Sequence, residues 1–308
     1  MLYILYTMNY PAKILLFGEY GIILNSMALA MPYPRFSGQF KFSDPTTENH
    51  PKSEIESNDE LIKLLNYLKT NYRRFKFINL EHFENEVKEG LYFDSSIPFG
   101  SGLGSSGSLT AAIYERYLIY AQHNEFQSIK TDLAAIETYF HGKSSGFDPL
   151  VSLFNKPLLL KEQSSIISDI DLSTFFTTYT LFLINSNSKG NTGTLVSRFM
   201  EKYQNQDFKK SIDNEYIPLI NQSIEAVTAS DFKSFDSLIT RYSQFQLTHF
   251  EALIQPRMKT YFEHGLTSND FLLKLCGSGG GGYILGITRN RNKTESYFNL
   301  NHIEYMVV

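Results

Sequence analysis

The 308-residue sequence lacks several features that mark particular classes of protein. Its single cysteine, Cys276, excludes an intrachain disulfide and a cysteine-based zinc cluster, and it agrees with a reducing compartment. No run of about 18 uncharged apolar residues occurs, so no membrane span is predicted. The apolar start, MLYILYTMNYPAKILLF, lacks the basic segment and the cleavage site of a signal peptide. We therefore expect a cytoplasmic protein with no membrane partner.

An excess of charge of either sign is also missing. The net charge is −4 and the pI is about 6.0, which argues against a nucleic-acid partner. Hydrophobic residues make up 42% of the chain and charged residues 19%, as in ordinary globular proteins. A chain of this length forms one large domain or two medium ones. A change of pattern near residue 170 predicts two domains, 1–170 and 171–308.

Hydrophobic periodicity predicts a mixture of strands and helices, and therefore an α+β fold. Strands are predicted at Leu2–Met8, Lys13–Phe17, Gly38–Phe42, Phe75–Asn79, Phe176–Asn185, Phe271–Leu275 and Tyr283–Ile287. Helices are predicted at Leu61–Tyr72, Ser105–His123, Thr131–His141, Thr194–Lys202, Ile212–Thr228 and Phe232–Phe245. The polar segment Asp44–Glu60 contains two prolines and predicts a surface loop.

The segment IPFGSGLGSSGS, residues 97–108, has three possible interpretations. A flexible linker would separate polar flanks, but a helical pattern begins here immediately. A dinucleotide fingerprint of the form G-x-G-x-x-G fits Gly102, Gly104 and Gly107, but it also requires a preceding strand and alternating βα units, which are missing. A phosphate loop needs converging backbone N–H groups and a helix start, and both are predicted at Ser105. The sequence therefore favours a phosphate loop without the lysine of a Walker A motif.

Four further segments accompany this loop and together resemble the GHMP kinase superfamily. They are PAKILLFGEYGIIL (11–24), ETYFHGKSSGFDPLVS (137–152), NSNSKGNTGTLV (185–196) and KLCGSGGGGYILG (274–286). Their order and spacing are similar to those of mevalonate kinases, whose last motif also ends in four glycines. Tyr20 stands where mevalonate kinases more often carry His, and phosphomevalonate kinases also show Tyr there. Cys276 stands where Thr is usual.

The resemblance implies a two-lobed fold with a ribosomal-protein-S5-like N-terminal lobe, which binds ATP, and a ferredoxin-like α+β C-terminal lobe. It also implies roles for individual residues. Asp148 would be the catalytic base and Lys13 its cationic partner, while Glu137 with Ser105 or Ser106 would bind Mg²⁺. The ATP phosphates would lie on Pro98, Gly100, Gly102, Leu103, Gly104, Ser105, Ser106, Gly107 and Ser108. The acceptor would contact Glu19, Tyr20, Ser188, Thr192, Gly277, Gly279 and Gly280, with Asn185 and Lys189 as further candidates.

Each of these residues also has a purely structural interpretation. Asp148 precedes a proline and could cap a turn, and Lys13 could be a solvated residue at the edge of a strand. Glu137 could lie on a helix surface, His141 reads as a helix end, and the glycines after Cys276 could form a hinge. The occurrence of Lys13, Asp148 and both glycine loops in one chain favours catalysis.

The resemblance therefore implies an ATP- and Mg²⁺-dependent kinase acting on a small-molecule alcohol. The first choice of reaction is mevalonate to 5-phosphomevalonate in isoprenoid biosynthesis. Phosphomevalonate, a sugar or homoserine remain alternative acceptors. A non-catalytic ligand-binding protein of the same fold should lack the base or the lysine, and a mevalonate-diphosphate decarboxylase should carry a different N-terminal motif. A monomer or a homodimer is expected.

Overall fold

The structure, a computed structural model, describes residues 8–47, 49–119, 126–161, 165–188 and 192–308. The strands are β1 (Tyr10–Phe17), β2 (Ala28–Phe42), β3 (Leu91–Ser95), β4 (Leu158–Lys161), β5 (Ser165–Ile167), β6 (Thr180–Asn185), β7 (Leu272–Leu275), β8 (Tyr283–Thr288) and β9 (Tyr305–Val307). The predicted strand Leu2–Met8 lies almost entirely outside the described residues.

The α-helices are α1 (Lys52–Thr70), α2 (Leu80–Lys88), α3 (Ser105–Tyr117), α4 (Phe126–His141), α5 (Phe147–Phe154), α6 (Ser173–Thr178), α7 (Thr192–Lys202), α8 (Gln206–Ser211), α9 (Ile217–Thr228), α10 (Phe232–His249), α11 (Pro256–Ser268) and α12 (Arg291–Leu300). A π turn, Ile212–Tyr216, joins α8 to α9. Short 3₁₀ turns lie at Gly21–Leu24, Tyr72–Arg74 and Glu251–Leu253. The mixture of helices and sheets confirms the α+β fold class.

The chain divides into two compact units, and each is discontinuous in sequence. The first unit comprises residues 1–13, 32–98 and 104–156, and the second comprises residues 14–31, 99–103 and 157–308. The predicted domain division at residue 170 stays a prediction. Strand β2 belongs to both units: its end pairs antiparallel with β3 in the first, and its start pairs with β4 in the second. These strands belong to a sheet of order β1-β2-β4-β5, in which β3 also pairs with β2.

The first unit packs α1 to α5 with the strand segments that belong to it. Helix α1 buries only its second half, through four leucines: Leu61, Leu64, Leu65 and Leu68. Helix α3 packs Ala111 and Ala112 against Tyr10 and Phe93. The small residues let α3 lie close to the strands, and this places the start of α3 near the residues of β1.

The second unit contains an antiparallel sheet of order β7-β8-β6-β9. Leu183 in the middle of β6 is paired with Leu285 of β8 on one side and with Met306 of β9 on the other. The π turn before α9 and helix α10 carry aromatic side chains into the core, where Phe245 stacks on Tyr216 with ring centroids 4.9 Å apart. Within the described part of the chain, no helix is long and apolar enough to cross a bilayer.

Three predictions about local structure were wrong, one of them only in part: the start of the predicted strand Phe176–Asn185 lies in helix α6, and β6 begins at Thr180. Phe75–Asn79 is not a strand, because only Ile78 forms an isolated bridge, to Leu118, and Asn79 instead caps the start of α2. The predicted loop Asp44–Glu60 contains the first half of α1, which begins after Pro51. That half of α1 is mostly exposed and so shows no apolar periodicity.

Candidate active site

A lysine and an aspartate of the first unit form the centre of the site. Lys13 projects from β1 with a side chain that is 3% exposed, and Asp148 lies in the first turn of α5 with a side chain that is 35% exposed. The distance from Lys13 Nζ to Asp148 Oδ2 is 2.8 Å. The Lys13 ammonium is buried and the Asp148 carboxylate reaches solvent. Asp148 can therefore contact a ligand while it remains paired with Lys13.

The pair lies close to the start of α3, because Gly107 lets α5 approach. A Cβ on Gly107 would lie 3.1 Å from the backbone nitrogen of Pro149 and 3.3 Å from Asp148 Cβ. Contacts of that length are tighter than nearly all those that real side chains make. The absence of a side chain at residue 107 therefore places Asp148 beside the first turn of α3.

Gly104 begins α3 in the left-handed region, with φ 81° and ψ 39°, where glycine is favoured. A Cβ at this position would lie 2.8 Å from Lys13 Cγ. No side chain caps the first turn, so its backbone N–H groups and the positive end of the helix dipole are available to an anion. The helix start and the Lys13 ammonium together favour negative charge here, as phosphate oxygens would supply.

A second carboxylate, Glu137 of α4, is buried beside the start of α3. One of its oxygens accepts a hydrogen bond from Ser106 Oγ at 3.3 Å, and the other accepts one from Ser144 Oγ. Burial and the nearby charge of Asp148 raise the pKa of Glu137 to about 7, although both serine hydroxyls and Lys13 oppose the shift. A cation at this carboxylate would relieve the unfavourable burial of its charge.

His141 joins this cluster, a contact that the sequence did not predict. It ends α4 as expected, but its Nε2 also lies 2.9 Å from Ser106 Oγ. Burial lowers the pKa of His141. Glu137 and His141 are four residues apart on one helix, and this spacing places both on the same face. That spacing was the signal that would have identified the histidine.

The oxygen atoms of Glu137 and Ser106 suit Mg²⁺, which prefers hard oxygen ligands. Of the two candidate serines, Ser106 is the one whose hydroxyl is bonded to Glu137. Among the described residues, no group of three or more histidine, cysteine or acidic side chains forms a metal cluster. The cluster therefore fits a Mg²⁺ ion that takes most of its ligands from phosphates and water.

The second unit contains the first part of the phosphate loop, residues 99–103, packed against the second glycine loop, Gly277–Gly282. Gly102 has φ 81°, and a Cβ there would lie 2.1 Å from the carbonyl oxygen of Cys276. The amide of Tyr283 donates to the carbonyl of Ser101 at 3.0 Å. Only glycine at residue 102 permits this backbone contact, so the two loops support each other's conformation.

The remaining predicted residues have varied surroundings. Leu103 is fully buried. The buried hydroxyl of Ser108 donates to the carbonyl of Tyr10 at 2.8 Å, so it packs the helix and does not face a ligand. Ser188 accepts a hydrogen bond from the amide of Gly282 at its backbone carbonyl. Thr192 begins α7, but its side chain is not among the described atoms, and Lys189 lies outside the described residues.

Two predicted acceptor contacts, Glu19 and Tyr20, are buried in the second unit. Glu19 forms an ion pair with Lys274, and both side chains are fully buried. The Tyr20 hydroxyl donates to the carbonyl oxygen of Ser278 in the second glycine loop. Neither contact was predicted, because each joins residues more than 250 positions apart.

Comparisons with known proteins found a matching family model, a related sequence and similar folds. Residues 62–156 match the GHMP kinases N terminal domain. A mevalonate kinase from Archaeoglobus fulgidus is 25% identical over 311 residues, covering 93% of this chain and 94% of the relative. The structure of L. major mevalonate kinase in complex with R-mevalonate has a TM-score of 0.66 at 17% identity, covering 97% of this chain and 94% of that one. A Streptococcus pneumoniae phosphomevalonate kinase in complex with phosphomevalonate and AMPPNP has a TM-score of 0.63 at 15% identity, covering 98% and 99%.

Proposed function

We propose that this chain is a GHMP kinase, an ATP-dependent small-molecule kinase, and that its acceptor is mevalonate and its product 5-phosphomevalonate. The observation that carries the chemistry is the ion pair between Lys13 and Asp148 at 2.8 Å, beside the uncapped start of α3. The choice of acceptor is supported by the Archaeoglobus fulgidus mevalonate kinase, which aligns along nearly the whole chain.

In the proposed reaction, Asp148 accepts the proton of the acceptor hydroxyl. The hydroxyl oxygen forms a bond to the γ-phosphorus of ATP, the bond from that phosphorus to the β–γ bridging oxygen breaks, and ADP leaves. Lys13 orients the Asp148 carboxylate through their ion pair and offsets negative charge that develops on the transferred group. The hydroxyl loses its proton late in a loose transition state, so a carboxylate is a sufficient base.

The phosphates are held by the chain's own backbone at the phosphate loop. Amide groups of the first turn of α3 and the helix dipole supply partial positive charge there. We propose that Ser106 and Glu137 bind Mg²⁺, which would neutralise phosphate charge when bound. Ser144 and His141 hold these two oxygen ligands in place through the hydrogen bonds described above.

Phosphomevalonate is a second candidate acceptor, because Tyr20 also occurs at this position in phosphomevalonate kinases. The fold of the Streptococcus pneumoniae phosphomevalonate kinase matches this chain about as well as that of the L. major enzyme. An assay that offers both acceptors separates the two proposals.

The test is a coupled ADP-release assay with mevalonate, phosphomevalonate, homoserine and galactose as acceptors. We expect mevalonate to have the highest kcat/KM, and ADP release to require Mg²⁺. Asp148→Ala and Lys13→Met should each lower kcat by about 10²–10⁴-fold, the usual contribution of a general base and of an oriented charge.

The matched controls are Asp94→Ala and Lys41→Met, which break another ion pair in the same unit. The distance from Lys41 Nζ to Asp94 Oδ2 is 2.6 Å, but both side chains are nearly half exposed, so activity should be retained. Near wild-type turnover in either Lys13 or Asp148 variant contradicts the mechanism. ATP binding without ADP release for any acceptor would instead favour a non-catalytic ligand-binding protein.

A further inference from the structure

Tyr20 has an unusual backbone conformation for a residue with a large side chain. Its φ is 58° and its ψ is −37°, outside the left-handed region that non-glycine residues occasionally occupy. Residues in such conformations persist only where the surrounding structure holds them, and they cluster at functional sites. The conformation of Tyr20 therefore calls for a specific set of contacts.

Those contacts aim the Tyr20 hydroxyl at the second glycine loop. The ring stacks on Phe199 with centroids 4.5 Å apart and lies against Phe250 at 5.5 Å. The hydroxyl then donates to the carbonyl of Ser278. Burial raises the pKa of the Tyr20 phenol, so the hydroxyl keeps its proton and remains a donor. The residue is 5% exposed, which leaves little of it for a ligand.

Both carboxylate oxygens of the neighbouring Glu19 also accept hydrogen bonds from side chains of the protein. Its Oε2 accepts a hydrogen bond from Tyr242 at 2.7 Å, and its Oε1 accepts one from Lys274. Lys274 also donates to the carbonyls of Leu15 at 3.3 Å and Leu275 at 2.7 Å. A fully buried ion pair persists only when such hydrogen bonds satisfy both charges, so Glu19 has no oxygen turned toward an acceptor.

The Tyr20 hydrogen bond reaches the second glycine loop, and the Glu19 ion pair reaches β7, the strand before that loop. Lys274 lies in β7, three residues before Gly277, and the amide of Leu275 donates to Gln246 at 2.7 Å. Ser278 lies within the loop. A loop so rich in glycine has many accessible conformations, and external contacts must select one of them.

We propose that Glu19 and Tyr20 are positioning residues that fix the second glycine loop, and that they do not contact the acceptor. Lys274 and Glu19 hold the strand that enters the loop, and Tyr20 holds the loop at Ser278. This inference rests on the proposed kinase function for its kinetic consequence, whereas the loop contact itself can be measured in the free protein.

The test is Tyr20→Phe, which removes the hydroxyl and keeps the ring. Hydrogen exchange of the free protein should show faster exchange of the Gly280 and Gly282 amides, which donate to Leu253 and Ser188. Loss of one hydrogen bond to the loop predicts an increase of about tenfold. In the ADP-release assay kcat should fall, because a mobile loop orients the substrates less well.

The control is Tyr179→Phe, which removes a hydroxyl of the same unit that donates to Asp236 at 2.6 Å and does not touch the loop. It should leave loop exchange and kcat unchanged. Weaker acceptor binding in Tyr20→Phe with unchanged loop exchange overturns the inference, because it shows direct contact. Faster exchange with unchanged kinetics also overturns it. If no acceptor is phosphorylated, the proposed function fails, while loop exchange still decides whether Tyr20 holds the loop.

Discussion

Replacing Gly104 by alanine should uncouple Lys13 from Asp148 without removing either charge. The new methyl group would lie 2.8 Å from Lys13 Cγ and 3.1 Å from Lys13 Cε. The lysine side chain is 3% exposed and has little room to move aside. The substitution therefore acts on the position of the ammonium that holds Asp148.

The size of the effect follows from two contributions. Alanine in the left-handed region at φ 81° costs about 1–2 kcal/mol of stability. Ordinary carbon contacts begin near 3.4 Å, so Lys13 must retreat by about 0.6 Å from the 2.8 Å contact. A misplacement of about 1 Å can lower a rate by 10²-fold, so we expect kcat to fall by about 10–100-fold.

Gly142 provides a matched control for the backbone contribution. It also has a positive φ, 72°, but a Cβ there would meet nothing within 4 Å. Gly142→Ala should lower the melting temperature by about 2–4 °C for each kcal/mol lost, as Gly104→Ala does, and should retain kcat. Thermal melting and the ADP-release assay on both variants measure the two contributions separately.

Equal activity of the two variants would refute this reasoning. It would mean that Lys13 can move without harm, or that its distance from Asp148 does not limit turnover. A loss of activity in Gly104→Ala that disappears at low temperature, in parallel with refolding, would assign the effect to stability alone.

Three further predictions concern buried charges. Burial alone would raise the pKa of Glu86, but hydrogen bonds from a neighbouring arginine and tyrosine leave it lowered. The stabilisation from this carboxylate should therefore be present above its unfolded pKa and lost as the pH falls through its folded pKa. The free energy of unfolding of Glu86→Gln, measured in urea, should depend less on pH in the acid range than that of the wild type. Lys274→Met should destabilise by about 3–5 kcal/mol by leaving Glu19 buried and unpaired, and adding Glu19→Leu should restore much of it, as urea unfolding will show. Glu137→Gln should raise the Mg²⁺ concentration needed for half-maximal ADP release, and an unchanged requirement would contradict its role as a ligand.

Local sequence determined the elements that carry the phosphate loop. The change from glycines to helix-forming residues at Ser105 predicted the start of α3, and the structure confirms it. The apolar runs on either side of Gly277–Gly282 predicted β7 and β8 to within one residue. These signals were sufficient because backbone freedom and hydrophobic periodicity act over a few residues.

Where several elements had to pack together, the same signals failed. The aromatic run Phe75–Asn79 looked like a strand, but among the described residues it forms only the isolated bridge from Ile78 to Leu118, and Phe75 and Ile78 are buried in the core. The first half of α1 looked like a loop because its exposed residues show no apolar spacing. A strand forms only where a neighbouring strand pairs with it, and the segment itself does not show whether one is present. An exposed helix is held by its own backbone hydrogen bonds and needs no apolar face, so hydrophobic spacing does not reveal it.

The candidate site shows the same division. The types of Lys13, Asp148 and Glu137 and the order of their motifs came from the sequence, but only the tertiary structure decided that a lysine and an aspartate 135 positions apart are 2.8 Å from each other. It also decided that Glu19 is sealed in a buried ion pair and that Tyr20 bonds to the glycine loop. Whether a polar side chain meets a ligand or another side chain depends on what the fold packs around it, and that information is distributed over the whole chain.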